Sequence, residues 1–217
     1  MLLKLTINSL YARLLTVCMT VLAISLSLML YLSVEKLRSS AYTSFTNTIS
    51  QTDLIVGSRT GSVQLLLYSV FRIGNATNNI TWESYEDIIN RDEINWSVPI
   101  SLGDSHKGFR VMGTNADFFK RYKYRGDRSL KIEEGKYFVD LYDVVIGFGV
   151  AKKLGYNINT PLIVSHGLKS FLEHDDQPFK VSGILAKTGT PVDNTIIVSL
   201  EAIEAIHVDW SSGAKIP

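Results

Sequence analysis

Apolar positions run without a single charge from Leu14 to Val34, 21 residues in all. As a helix rising about 1.5 Å per residue, such a run spans roughly 30 Å, the thickness of a bilayer's hydrocarbon core. Its few Thr, Ser and Tyr hydroxyls can bond back to helix carbonyls. A cleaved secretory leader would carry a shorter apolar stretch, about 7–15 residues, and an A-x-A-like site. Here the run is longer and meets Glu35, Lys36 and Arg38, with only Ser39-Ser40-Ala41 as a cleavage signal. The pattern therefore predicts a retained membrane anchor. Ahead of it, Leu2, Leu3, Leu5, Ile7, Leu10 and Leu14 mark a broad apolar face away from Lys4, Asn8 and Arg13. Residues 1–13 are either a short amphipathic helix on the inner membrane surface or the start of the spanning helix itself.

Beyond the span, residues 35–51 contain no Gly or Pro and place Leu37, Ala41, Phe45 and Ile49 four apart. This spacing predicts that the helix continues as a stalk for several turns. Asp53–Gly57 reads as a short strand, and Ser62–Phe71 as a helix starting at Gly61 or Ser62. Thr81 is placed to cap the helix WESYEDIINR, with Ser84 where a full capping box would hold Glu or Gln. Trp96–Leu102 and Gly108–Gly113 are strand-like, with Gly-Asp-Ser-His as the turn between them. Asn115 is placed to cap a short helix through Phe118 and Phe119. Later strands are expected at Asp143–Ile146, Pro161–Ser165, Phe179–Leu185 and Thr195–Val198, and Ser199 is placed to cap the helix Leu200–His207. Val144–Ile146, Phe179, Val181, Ile184 and Ile196–Val198 are the expected core. The alternation predicts an α+β fold with four segments: a cytoplasmic stretch 1–13, a transmembrane helix 14–34, a helical stalk 35–52 and an outer domain 53–217.

Charge sets the orientation. Lys4 and Arg13 precede the span with no acidic residue beside them, whereas Glu35 partly offsets Lys36 and Arg38. The positive-inside bias places the N-terminus in the cytoplasm and the main domain outside. Two of the 22 basic residues and none of the 21 acidic ones precede the span, so the outer part is near neutral. That argues against nucleic acid as its main partner. The basic aromatic run Lys120–Arg128 (KRYKYRGDR) accordingly reads as a solvated face with packed rings, and its Arg-Gly-Asp at 125–127 as a chance tripeptide. The sequons at Asn75, Asn79 and Asn95 read the same way in a chain rich in Asn, Ser and Thr. Cys18, the single cysteine, lies inside the span, so no disulfide holds the outer domain, as suits a bacterial envelope.

Candidate chemistry is sparse. Asp143–Ile146 running into Gly147-x-Gly149 and a helix to Gly155 is how a dinucleotide-binding turn begins. The third fingerprint position holds Lys152, however, and no strand ending in Asp or Glu follows at the right distance. The plain reading is a strand–turn–helix corner with Val150, Ala151 and Leu154 facing inward. GxxxxGK[S/T], GxSxG and HExxH are missing from the sequence. His106, His166, His174 and His207 show no metal-ligand spacing, and His174-Asp175-Asp176 reads as a solvated turn. The sequence thus nominates no catalytic, cofactor or metal residue. Partner surfaces are best sought in the long polar loops Arg72–Asn79 and Leu168–Gln177.

The order of elements resembles a known family. NSLYARLLTVCMTVLAISLSLML is similar to the start of the first transmembrane helix of the macrolide-exporter-like and FtsX-like ABC permeases. DLIVGSRTGSVQLLLYSVF, VMGTNADFF, EEGKYF and DVVIGFGVAKKLGYNINTPLIV follow in the order that family uses. FKVSGILAKTGTPVDNTIIVSLEAIEAIH resembles the close of its periplasmic domain. The resemblance implies a non-catalytic permease subunit of the bacterial inner membrane, coupled to ATP hydrolysis by a separate cytoplasmic ATPase. It further implies pairing as a homodimer or with a second permease, and export or release of a periplasmic protein, lipoprotein or other substrate. Such permeases carry three more transmembrane helices, so this chain corresponds to the first span and the periplasmic domain, as a fragment or a truncated product. A membrane-anchored sensor or binding domain of a signalling receptor is the alternative, and it would need a second span and a cytoplasmic module.

Overall fold

The long apolar run forms helix α1, Leu14–Thr48, which is 35 residues long. Its most apolar 18-residue window has a mean hydropathy of 2.2 with none of it buried, so by length and composition it can cross a membrane. The hydroxyls inside it do bond back: Thr20 to Thr16 O, Ser27 to Ala23 O and Ser33 to Met29 O, at 2.7–2.9 Å. These three hydroxyls are thereby satisfied within their own helix, as hydrocarbon requires. This computed structural model describes residues 6, 9, 11–74, 78–166, 178–208, 210, 211, 214 and 215. Most of the expected amphipathic stretch 1–13 lies outside them. By its contacts the chain forms two units, Met1–Phe45 and Thr46–Pro217.

The second unit is built on one mixed eight-stranded sheet. Its strands are β1 (Ile100–His106), β2 (Phe109–Thr114), β5 (Ile132–Gly135), β6 (Asp143–Ile146), β7 (Pro161–Leu162), β8 (Ser165–His166), β9 (Phe179–Leu185) and β10 (Thr195–Ser199). The spatial order is β5-β9-β6-β10-β2-β1-β8, with β7 also on β9. β6 runs parallel to β9 and β10 parallel to β2, while the other pairs are antiparallel. Two further pairs lie apart from it: β3 (Lys123–Tyr124) with β4 (Arg128–Ser129), and β11 (Trp210–Ser211) with β12 (Ala214–Lys215). The helices are α2 (Ser62–Ser69), α3 (Trp82–Ile89), α4 (Asp117–Arg121), α5 (Phe148–Leu154) and α6 (Leu200–His207). This is the α+β architecture that the sequence pattern predicts.

The central strands are buried on both faces, which is why they read as unbroken apolar runs. One face joins Val111, Val144, Ile146, Val181, Ile196 and Val198 to Val150, Ala202 and Ile206 of α5 and α6. The other joins Met112, Val145, Leu185 and Ile197 to Phe118, Phe119, Leu130 and Val192. Every expected core residue is buried, Ile184 the most exposed of them at 7%. Val150 is buried, and Ala151 and Leu154 pack against the same cluster. Two helix caps also form as expected, with Ser84 N donating to Thr81 Oγ1 and Ala202 N to Ser199 Oγ.

Three expectations fail for local reasons. Asp53–Gly57 forms no strand and pairs with none among the described residues, leaving Leu54 71% exposed. The first hairpin strand starts four residues late, after Pro99, whose ring nitrogen has no proton for a ladder bond. Gly103–His106, expected as the turn, belongs to that strand, and the turn falls on Lys107-Gly108 with φ of 46° and 82°. Two successive left-handed residues make the tight connection that matches strand twist. Finally, Asn115 contributes its backbone carbonyl to Phe118 N, while its buried side-chain oxygen has no hydrogen-bond partner.

Candidate functional site

The end of α1 is fastened to the hairpin that follows α4. Thr46–Thr48 belong to the domain unit. Arg125 N donates to Asn47 O at 2.9 Å, and Ser50 N to Lys123 O at 3.0 Å. Gly126 N donates to Ser50 Oγ at 3.0 Å, and Gln51 Nε2 to Asp127 Oδ1 at 3.2 Å. Asn47 O and Thr48 O are among the last carbonyls of the helix, which find no intrahelical donors and need partners from elsewhere. The β3–β4 hairpin supplies one of them, because Arg125 and Gly126, at φ 47° and 90°, turn their amides toward the helix end.

Tyr122 forms the inner half of this joint. Its hydroxyl donates to Thr48 O at 2.6 Å and also lies 3.3 Å from Thr190 Oγ1. Its ring packs on Phe118, centroids 5.1 Å apart, and on Tyr124. Burial, above all, pushes the Tyr122 phenol above its ordinary pKa, with Thr190 and Arg72 pulling the other way. Thr190 belongs in turn to the loop between β9 and β10, where Thr188, Thr190 and Asp193 are buried. There Asp193 Oδ1 accepts from Thr188 N and Thr188 Oγ1, Oδ2 accepts from Gly189 N, and the Thr188 and Thr190 hydroxyls lie 2.8 Å apart. The next residues, Thr195–Ser199, are the strand in the middle of the sheet. A hydrogen-bonded path thus leads from the last turn of α1 through Tyr122 and the Thr188–Asp193 loop to β10.

Lys120–Arg128, expected as a solvated face with packed rings, does pack its rings, but it is also the receptor for the helix end. No local signal marks that role, since the partners lie about 75 residues apart in sequence. The Gly147-x-Gly149 turn is a packing device. A Cβ on Gly147 would fall on the carbonyl oxygens of Val192 and Asp193, and one on Gly149 on the Asn194 side chain. The 3-10 turn Pro191–Asn194 thus fills the space at the start of α5, with Gly147 N donating to Thr195 O at 3.0 Å. That is the strand–turn–helix corner.

His106 and His207 take no part in the joint. His106 places Nε2 2.8 Å from the Tyr156 hydroxyl and Nδ1 2.5 Å from Ile163 O, and His207 Nδ1 is 2.6 Å from Ile203 O. Among the described residues, no group of three or more His, Cys, Asp or Glu is placed to hold a metal ion. Leu168–Gln177, with His174-Asp175-Asp176, lies outside the described residues, as do residues 75–77 of the loop Arg72–Asn79.

A helix of membrane-spanning length followed by a mixed α+β domain is the class of architecture the structure defines. The family model of the MacB-like periplasmic core domain matches residues 14–216, and the chain belongs to that family. It is accordingly of the ABC transporter permease class, with a periplasmic domain and a candidate transmembrane helix. Among solved structures, a domain of a permease protein from Porphyromonas gingivalis is similar at 9% identity and a TM-score of 0.34. The match covers 55% of this chain and about half, 49%, of that one. No curated protein matches.

Proposed function

We infer that this chain carries the first span and periplasmic domain of an ABC permease subunit that converts ATP-driven movement in the cytoplasm into movement of the domain. A separate cytoplasmic ATPase supplies the energy, the permease works as a homodimer or paired with a second permease, and the output is export or release of a periplasmic substrate. The N-terminus lies in the cytoplasm and the domain in the periplasm. Segments 1–13, 14–34, 35–52 and 53–217 serve as inner stretch, span, stalk and working domain, and no residue of the chain is catalytic.

The observation that carries this reading is the joint. α1 contains neither Gly nor Pro between Leu14 and Thr48. Its last carbonyls are fixed by Arg125 N and the Tyr122 hydroxyl. An unbroken helix transmits displacement along its axis, and hydrogen bonds at its end pass that displacement to the elements that carry them. The Thr188–Asp193 loop then offers a route into the sheet.

The test uses the complete permease reconstituted with its ATPase. Tyr122→Phe is expected to lower transport per ATP hydrolysed while leaving ATPase activity in place. Unchanged transport in a well-folded variant would refute the joint as the coupling element.

A further inference from the structure

Arg72 stands where three unfavourable features meet. It closes α2 with φ at 62°, a conformation that glycine or asparagine usually takes. Its Nε and Nη1 are covered and have no hydrogen-bond partner. Nη2 reaches only the Met112 sulfur, at 2.9 Å, and a thioether is a weak acceptor. Burial pushes its pKa down to about 10, so the group still carries its charge at neutral pH. The groups that favour that charge are the phenols Tyr122 and Tyr68, with no carboxylate among them.

A second cation brackets the same turn. Arg110 stands two residues from Met112 on β2, donates to Gly74 O, and lies over the Tyr68 ring at 5.9 Å. The helix and turn that lead to Arg72 also expose apolar side chains: Val63 is 68% exposed, Ile73 59% and Leu67 40%, and α2 has no buried residue. Buried charges in folded proteins are as a rule paired, because an isolated one loses hydration with nothing in return. A planar guanidinium favours a planar oxyanion. Exposed apolar side chains on the same helix and turn favour an anion with an apolar substituent over a fully hydrated one.

We propose that the Arg72 turn, with Arg110 beside it, is a binding site for a carboxylate that carries an apolar substituent. Because Nε and Nη1 are covered, the carboxylate reaches them as the 70–74 turn opens, and the left-handed Arg72 backbone lowers the cost of that opening. The carboxylate comes either from an acidic side chain flanked by apolar residues on a protein, or from a free small carboxylate.

The experiment uses the full chain in detergent micelles with 15N-labelled arginine. The Arg72 Nε–H resonance is followed while acetate is added, against acetamide at constant ionic strength. The acetylated, amidated tripeptide Leu-Glu-Leu is compared in parallel with Leu-Gln-Leu. Acetate and the Glu peptide are expected to shift the resonance saturably, their neutral counterparts to leave it in place. In Arg72→Met, affinity read from other amides of the turn is expected to fall at least tenfold, with helicity retained. Arg72→Lys serves as the second variant and is expected to bind more weakly than the wild type, because an ammonium lacks the planar donor set. A Glu peptide binding tenfold or more tighter than acetate assigns the site to a protein side chain, and equal affinity assigns it to a free carboxylate. Equal responses to acetate and acetamide, or unchanged affinity in both variants, mean an adventitious ion only and overturn the proposal.

Discussion

Replacing Tyr122 by Phe deletes one oxygen and tests the joint with little change of shape. The ring keeps its packing on Phe118 and Tyr124, so the lost terms are the 2.6 Å bond to Thr48 O and the 3.3 Å contact with Thr190. Thr48 is buried at 5% exposure, so water does not readily replace the phenol as donor to its carbonyl. A buried acceptor that loses its donor costs about 1–3 kcal/mol, and about 2 kcal/mol is expected here. For a unit of this size that lowers Tm by about 4–8 °C. The more specific readout is hydrogen exchange of the full chain in micelles. Ser50 N–H and Gly126 N–H close the joint, and a local loss of about 2 kcal/mol would speed their exchange roughly 30-fold. Amides of Ile196–Val198, in the middle of the sheet, should respond less. If Tm falls while Ser50 and Gly126 exchange as before, Tyr122 supports only the core, and the reasoning that makes it part of the joint is wrong.

Arg72→Met should raise stability at neutral pH by up to about 3 kcal/mol, because the buried charge is unpaired and methionine fills similar volume; denaturant titration with a stability loss would contradict this. The pH profile separates the two buried groups. Arg72 releases its proton near pH 10 when folded and only higher when unfolded, so it makes stability rise with pH above about 10, whereas the raised Tyr122 phenol makes stability fall there. Arg72→Met should therefore abolish the rising contribution and Tyr122→Phe the falling one. Leu37→Pro removes a backbone bond in the exposed part of α1 and kinks it at a cost of about 3 kcal/mol or more; in the complete permease, transport should drop while ATP hydrolysis persists. Alkaline carbonate should leave the chain in the membrane pellet, and reporter fusions at residue 5 and after residue 200 should report opposite sides.

The parts of this fold that are legible in the sequence share one property: their signal is local. The charge-free run at 14–34, the threonine and serine that cap α3 and α6, and the apolar runs of β6, β9 and β10 can each be read within a ten-to-twenty-residue window. Burial on both faces removes alternation from those strands, and that absence is itself the signal. The failures have the complementary cause. Gly-Asp-Ser-His looks like a turn because those residues form turns in isolation. In the folded chain Asp104 and Ser105 instead pair with His166 and Ser165 of β8, and His106 finds Ile163 O and Tyr156. Leu54 and Val56 look like strand residues, yet the sheet offers them no partner.

The joint is the extreme case of a distant cause. Nothing within KRYKYRGDR distinguishes a solvated loop from a receptor, because its purpose is set by carbonyls at Asn47 and Thr48, far earlier in the chain. A helix end always presents such carbonyls, and a stalk that enters a domain must have them met by something. The sequence places the end of the stalk near Gln51, where the helix-favouring composition gives out. From that point the helix end needs donors to its last carbonyls, and Tyr122–Gly126 supplies them through the Arg125 amide and the Tyr122 hydroxyl. The same accounting leads to Arg72. A left-handed arginine at the end of a short helix is unremarkable as sequence, and becomes informative only when each of its donors is asked where its hydrogen bond goes. One answer ends in sulfur and two end nowhere, which places the least satisfied charge among the described residues next to the tyrosine that grips the stalk. Tyr122→Phe and Arg72→Met therefore belong in one double-mutant cycle. A coupling energy beyond about 0.5 kcal/mol would mean that the two groups act as one device, and strict additivity that each stands alone.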